Sequence, residues 1–221
     1  NARGTHNLLE ALRRARVNAT ILIPSSALVY RPSDSPLKED DPLVPTGPYG
    51  VSKLAQEMLG WHAAADGLDV RIARPFNHIG PRQDPGFAAS GFARRIADIE
   101  SGKGQNREIA VGNLDAHREA IDVRDTARAY RTIVGRGRTA RPYNVCSGRA
   151  IAIRELLERL LSRARVPIAV RVDAQRLRPN DVPLLVGDPG RARDELGWQT
   201  EIPLEQTLDD LLDYWRQQAP D

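Results

Sequence analysis

The chain has 221 residues, 41% hydrophobic and 28% charged, which is enough apolar material for a packed core in one or two domains and unlike a disordered chain. Its 32 Lys and Arg against 29 Asp and Glu give a net charge of +3 and a pI of about 9.3, yet no basic run exceeds two residues and aromatics are only 5%, which argues against nucleic acid as a partner. A single cysteine, Cys146, excludes an internal disulfide, no apolar stretch is long enough to span a bilayer, and the start lacks the layout of a signal peptide, so a cytoplasmic protein with no membrane partner is expected.

In chain order, residues 5–16 place Leu8, Leu9, Leu12 and Ala15 on one face of a helix expected to bury against a core. Residues 21–24 are a short apolar run opening into Ser25 and Ser26, the pattern of a buried strand that ends in a hydroxyl-bearing loop. Pro48 introduces a helix over 49–66, closed near Gly67, and residues 69–74 form a second strand that runs into Pro75, Phe76, Asn77, His78, Ile79, Gly80 and Pro81. Strand, helix, strand without a hairpin signal predicts a parallel sheet with a right-handed crossover, and such sheets hold ligands at the C-termini of their strands. Ser26, Tyr49, Lys53 and Asn77 are therefore expected to converge on one crevice. Tyr49 and Lys53 stand four residues apart, so one helical turn sets a phenol beside an ammonium. A fixed positive charge lowers a phenol from its ordinary pKa of about 10 by roughly 1–3 units, toward usefulness as an acid or base.

Beyond the Pro/Gly-rich stretch 80–86, helices are predicted over 91–101, 123–135, 153–164, 189–196 and 204–218, with strands over 108–111, 142–146 and 169–172. In the last helix Leu204, Leu208, Leu211, Leu212 and Trp215 recur at helical spacing. Trp61, Trp198 and Trp215 read as packing residues, Cys146 as a small buried hydrophobe within a strand, and His78 and His117 as loop or surface residues. No His, Cys and carboxylate cluster has metal-ligand spacing, so no metal is expected.

Taken together, the motifs resemble a known family. Asn1, Gly4, Thr5, Asn7, Leu8, Leu9, Glu10 and Ala11 are followed by Ser25 and Ser26, then YGVSK at 49–53 and RPFNHIGP at 74–81. Next come VGNLD at 111–115 with Arg118, DVRD at 122–125, YNVCSG at 143–148, LRP at 177–179 with Gly187 and Asp188, then LGW at 196–198 and IPL at 202–204. In this order they resemble the extended short-chain dehydrogenase/reductases of the sugar-nucleotide epimerase/dehydratase family. The resemblance implies an α/β fold: a Rossmann-like doubly wound parallel sheet, its N-terminal strands missing, with a smaller C-terminal α/β substrate-binding region. On that basis residues 1–83 are the C-terminal half of an NAD(P)-binding domain, and 84–221 are mainly the sugar-nucleotide region, parts of which thread back into the first domain. It further implies catalysis by Ser26, Tyr49 and Lys53, cofactor contact by Tyr49 and Lys53, and substrate contact by Ser26, Asn77, Arg118 and Arg178. The cofactor is expected to be NAD(P)(H), the substrate a nucleotide sugar, and the assembly a homodimer through helices 5–16 and 49–66.

Within the family the motifs look most like those of enzymes that reduce the C4 keto group of a GDP-4-keto-6-deoxy-hexose, with GDP-mannose 4,6-dehydratases as near relatives. Dehydratases place a carboxylate two residues after the catalytic hydroxyl, to take the proton at C5. Here that position is Leu28, preceded by Ala27, and neither takes a proton. Reductases of this kind often carry a Glu there too, so Leu28 counts against dehydration more than for reduction. In the implied reaction a reduced nicotinamide supplies hydride to C4, Tyr49 protonates the oxygen, Ser26 hydrogen-bonds it, and Lys53 holds the nicotinamide ribose. No GxGxxG or GxxGxxG turn follows any strand, so the pyrophosphate clamp is missing and these 221 residues alone are expected to be inactive. The alternatives are a sugar-nucleotide 4-epimerase, a 4,6-dehydratase and a non-catalytic sugar-nucleotide-binding protein.

Overall fold

The computed structural model describes residues 1–103, 106–176 and 182–219; Arg178, with its neighbours Leu177 and Pro179, lies outside them. Helix α1 (Ala2–Arg14) precedes strand β1 (Thr20–Pro24), helix α2 (Pro48–Ala65) and strand β2 (Asp69–Pro75). The expected strand, helix, strand unit forms: β1 pairs in parallel with β2, Thr20 opposite Asp69 and Pro24 opposite Ala73. The short strand β3 (His78–Ile79) leads to α3 (Ala88–Glu100), β4 (Glu108–Val111), β5 (His117–Arg118), β6 (Ile121–Asp122) and α4 (Val123–Arg136). Strand β7 (Pro142–Val145) then returns to the first sheet on the far side of β2, giving the order β1-β2-β7, all parallel. The chain ends with β8 (Ile151–Ala152), α5 (Ile153–Leu161), β9 (Ala169–Val172), β10 (Leu184–Leu185), α6 (Gly190–Leu196) and α7 (Leu204–Gln218).

Both faces of the three-stranded sheet are covered, which is why the centre of β1 is a continuous apolar run and the polar side chains within β2 and β7, such as Arg74 and Asn144, are buried and hydrogen-bonded. Ile23, Val70 and Ile72 pack with Leu9 of α1 and Ala63 of α2, while Ala73, Tyr143 and Val145 pack with Ala129 and Ile133 of α4 and with Leu196 and Trp198. A second core gathers Ile96 of α3, Leu160 of α5 and Leu208, Leu211 and Leu212 of α7, so the leucine spacing of the last helix lands on buried positions. The DVRD motif serves this junction. Asp122 caps α4 through the Arg124 amide and accepts from Thr207 Oγ1 of α7 at 2.8 Å, and Asp125 accepts from the amides of Glu201 and Ile202.

Several expectations need correction. Helix α1 begins three residues earlier than its apolar pattern, and of the four residues assigned to its buried face only Leu9 is buried; Leu8 is 54% exposed and Ala15 is exposed. Apart from Leu9, which reaches the sheet, the helix packs on α2, through Gln56 Nε2 to Thr5 Oγ1 at 2.6 Å and Asn1 Nδ2 to Ser52 Oγ at 2.9 Å, so much of its apolar stripe faces outward. His78 and His117, read as loop or surface residues, open the two-residue strands β3 and β5, although His117 is exposed there and the surface half of the reading holds for it. Cys146 is buried as expected, yet sits one residue beyond β7, where burial pushes its thiol well up. Among the described residues no helix is long and apolar enough to cross a membrane, and no group of three or more His, Cys, Asp or Glu could hold a metal ion.

Asp69 opens β2 with a carboxylate that takes bonds from Thr20 Oγ1 (2.7 Å), Thr139 Oγ1 (2.5 Å) and the Arg71 guanidinium (2.9 Å). Burial pushes this carboxyl up, but the bonds from Arg71, Thr139 and Thr20 outweigh it and bring its pKa down to about 2. A carboxylate held below its unfolded value stabilises the fold above about pH 4 and loses that contribution as pH falls through about 2. Asp69→Asn is therefore expected to cost about 1–2 kcal/mol at pH 7, after discounting for partial exposure, and almost nothing at pH 2. Melting temperatures of both proteins across that range check this, and parallel curves would refute it.

Candidate active site

The site forms where β1 and β2 end. The chain leaves β1 through Ser25 and Ser26 into a single 3-10 turn, Ala27–Val29, with Ser26 as its N-cap; Ser26 Oγ accepts from the Leu28 amide at 3.1 Å. That bond uses one of the hydroxyl's two lone pairs and leaves its proton available for donation. Helix α2 brings Tyr49 to the same place, and the glycine after it explains how. A Cβ on Gly50 would lie 2.3 Å from the Leu28 carbonyl oxygen, so only a bare backbone lets the first turn of α2 rest on the turn that carries Ser26. Tyr49 stays 52% exposed, available to a ligand.

These ends open onto a cavity of about 700 Å³, whose walls include Ser25, Ser26, Leu28, Tyr49, Asn77, Gln83 and Arg118. Ser26, Tyr49, Asn77 and Arg118 are thus brought together. Asn77 follows β2, its backbone carbonyl accepting from the Ile121 amide, and Arg118 sits in β5 with Nη1 on the His117 carbonyl at 2.8 Å. Lys53 does not line this cavity. It lies one turn below Tyr49, its Nζ 5.6 Å from the ring centroid, and donates to the Pro24 carbonyl at 2.8 Å. Burial lowers its pKa. An ammonium in this position has two further N–H donors, a donor set that fits the hydroxyls of a nicotinamide ribose. No glycine-rich turn follows a strand among the described residues, so the fit extends to the nicotinamide end of a dinucleotide only.

The residues that fix this geometry were not singled out from the sequence. Arg74, near the end of β2, is fully buried and paired with Glu57 of α2, Nη2 to Oε2 at 2.7 Å and Nε to Oε1 at 3.0 Å. Its Nη1 also donates to the Tyr30 hydroxyl (2.9 Å) and the Glu39 carbonyl (2.8 Å), and the Tyr30 hydroxyl donates to Asn144 Oδ1 of β7 at 2.6 Å. Burial pushes the Tyr30 phenol up, against the pull of Arg74, so it stays protonated and keeps donating. The network ties the turn after β1, the middle of α2, the end of β2 and β7 into one block. Glu119, beside Arg118, does the same for the opposite wall. Its buried carboxylate accepts from the amides of Ser147, Gly148 and Gly187 and from Ser147 Oγ, although burial pushes its pKa up. The only signal in the sequence is indirect and covers Arg74 alone, which opens the RPFNHIGP motif; Glu57 and Glu119 lie outside the motifs.

A hydroxyl turn, a YxxxK helix start and an asparagine meeting at the ends of parallel strands define a short-chain dehydrogenase-type site, and the chain belongs to the family described as GDP-mannose 4,6 dehydratase, which matches residues 1–211. A curated relative is the GDP-6-deoxy-D-mannose reductase of Pseudomonas aeruginosa, 39% identical over 220 residues, which cover 97% of this chain and 72% of that protein. A dTDP-glucose 4,6-dehydratase of Streptomyces griseus is 32% identical, with 94% and 62% covered. Among solved structures, RMD from Pseudomonas aeruginosa complexed with NADPH superposes with a TM-score of 0.91 at 36% identity, covering 97% of this chain and 72% of that one.

Proposed function

We propose that the chain is part of an NAD(P)-dependent sugar-nucleotide oxidoreductase that reduces the C4 keto group of a GDP-4-keto-6-deoxy-hexose. The observation that carries this is the cavity that holds Ser26 and Tyr49 together, with Leu28 where a dehydratase needs an acid. When bound, NAD(P)H supplies the hydride. The chain's own residues do the rest. Tyr49 gives its phenolic proton to the C4 oxygen, Ser26 donates a hydrogen bond to the same oxygen, and Lys53 holds the ribose from beneath Tyr49. Asn77, Arg118 and Arg178 are assigned to the nucleotide sugar, the arginines to its phosphates, where a planar, always-charged fork is apt.

The family resemblance and the reductase at 39% identity support a GDP-sugar, while the dehydratase relative keeps a dTDP-sugar or a 4,6-elimination as the second reading. Residues 1–83 are assigned to the cofactor and 84–221 mainly to the sugar nucleotide, with the cytoplasm as the place of action. We assign a homodimer to helices 5–16 and 49–66, supported by the outward Leu8 of α1 and the outward Val51 and Met58 of α2, seven residues apart on one face. These 221 residues by themselves are expected to turn over neither NADH nor NADPH. The test is the full-length chain with NADPH and GDP-4-keto-6-deoxymannose. NADPH oxidation with formation of a GDP-6-deoxy-hexose is the expected result. Conversion of GDP-mannose to the keto sugar, or epimerisation without net nicotinamide change, would overturn it in favour of the other activities.

A further inference from the structure

Among the described residues, four buried side-chain atoms have no hydrogen-bond partner, and two of them, Ser25 Oγ and Gln83 Oε1, belong to residues that line the cavity of Ser26 and Tyr49. Gln83 is the more telling because its amide is fixed. Nε2 donates to the His78 carbonyl at 2.7 Å; a carbonyl only accepts, so the amide cannot turn over, and Oε1 is left as a committed acceptor. The loop beneath it is fixed as well. The Gln83 carbonyl accepts from Ser90 Oγ at 2.7 Å, which in turn accepts from Trp215 Nε1 of α7 at 3.0 Å. The preceding residue, Arg82, is held at φ +70°, a left-handed conformation that non-glycine residues avoid and that persists where its surroundings over-determine it. A buried acceptor without a donor is destabilising until something supplies one. In a cavity built for a hexose, that donor is a hydroxyl.

We propose that Gln83 is a specificity-determining residue whose Oε1 accepts a hydrogen bond from the C2 or C3 hydroxyl of the sugar, in the cavity that Ser26 and Tyr49 also line. This rests on the nucleotide-sugar reading above, and the experiment separates the two. Binding of GDP-6-deoxy-D-mannose and of its 2-deoxy and 3-deoxy analogues to the full-length protein is measured calorimetrically, for the wild type, Gln83→Met and Ser90→Ala. Gln83→Met is expected to weaken binding of the parent sugar by about 3- to 15-fold. One deoxy analogue should bind the wild type equally weakly, and should bind Gln83→Met no worse than it binds the wild type. Ser90→Ala loosens the loop but keeps the acceptor, so it should weaken parent and analogues alike. If Gln83→Met shows that same uniform pattern, or binds the parent at wild-type affinity, the assignment of Gln83 is wrong. The wild type with the analogues is sufficient should the variant not fold, since no loss with either analogue overturns the proposal. Failure of the wild type to bind any of these sugars overturns the nucleotide-sugar reading itself.

Discussion

Tyr49→Phe in the full-length chain is expected to lower kcat for C4 carbonyl reduction by about 10²–10⁴-fold while leaving the KM for the nucleotide sugar within a few-fold of wild type. The phenol is the one group on the cavity wall placed at the start of α2 with an ammonium one turn below it, and the substitution removes only its oxygen. Neither neighbour replaces it. Ser26 can donate a hydrogen bond but is a far weaker acid, and Lys53 is directed at the Pro24 carbonyl rather than into the cavity. An interaction made mainly in the transition state costs kcat and kcat/KM alike, which separates a lost proton donor from a lost binding contact. Steady-state kinetics with the keto sugar checks this. A variant that keeps more than a tenth of wild-type kcat would take Tyr49 out of the role of proton donor.

Arg74→Met is expected to destabilise the protein by about 3–5 kcal/mol, because it leaves the Glu57 carboxylate buried without its partner. At roughly 2–4 °C per kcal/mol for a chain of this size, the melting temperature should fall by roughly 6–20 °C. Both side chains have essentially no exposure, so water cannot replace the lost bonds, and the Tyr30 hydroxyl and Glu39 carbonyl lose a donor at the same time. The double variant Arg74→Met with Glu57→Leu should recover part of the loss, since an apolar pair avoids stranding a charge. Thermal denaturation of the two variants decides the matter. Equal loss in both would mean that the cost lies with Tyr30 and Glu39 rather than with the ion pair.

The sheet that carries the site was legible because its cues are long. Eighteen residues of α2 begin at a proline, the strand before it is an apolar run, and no hairpin signal joins the strands on either side, so a parallel crossover followed and the catalytic motifs fell at its open end. The strands β3, β5, β6, β8 and β10 were not legible, because two residues carry no periodicity; pairing with distant neighbours creates them. The buried Arg74 and Glu57 were hidden for a different reason. Charged residues are almost always solvated, and nothing local in RPFN or in the body of α2 says that these two face each other. Leu8 misled in the opposite sense. Its position in an amphipathic stripe is sound, but what covers that stripe is not in the described fold.

The cavity has two kinds of wall, and they should differ in how freely they can be rebuilt. The wall that holds Ser26 and Tyr49 is locked by Arg74, Glu57, Tyr30 and Asn144, whose bonds interlock so closely that changing any one disturbs the others. The wall from Gly80 to Phe87 hangs on loop backbone and a few side-chain bonds, with Arg82 and Phe87 open to solvent. A library that diversifies residues 81–87 should therefore yield folded proteins with altered sugar preference. One that diversifies residues 30, 57, 74 and 144 should yield mostly unfolded ones, so new substrates are to be sought by redesigning the rim and sparing the foundation.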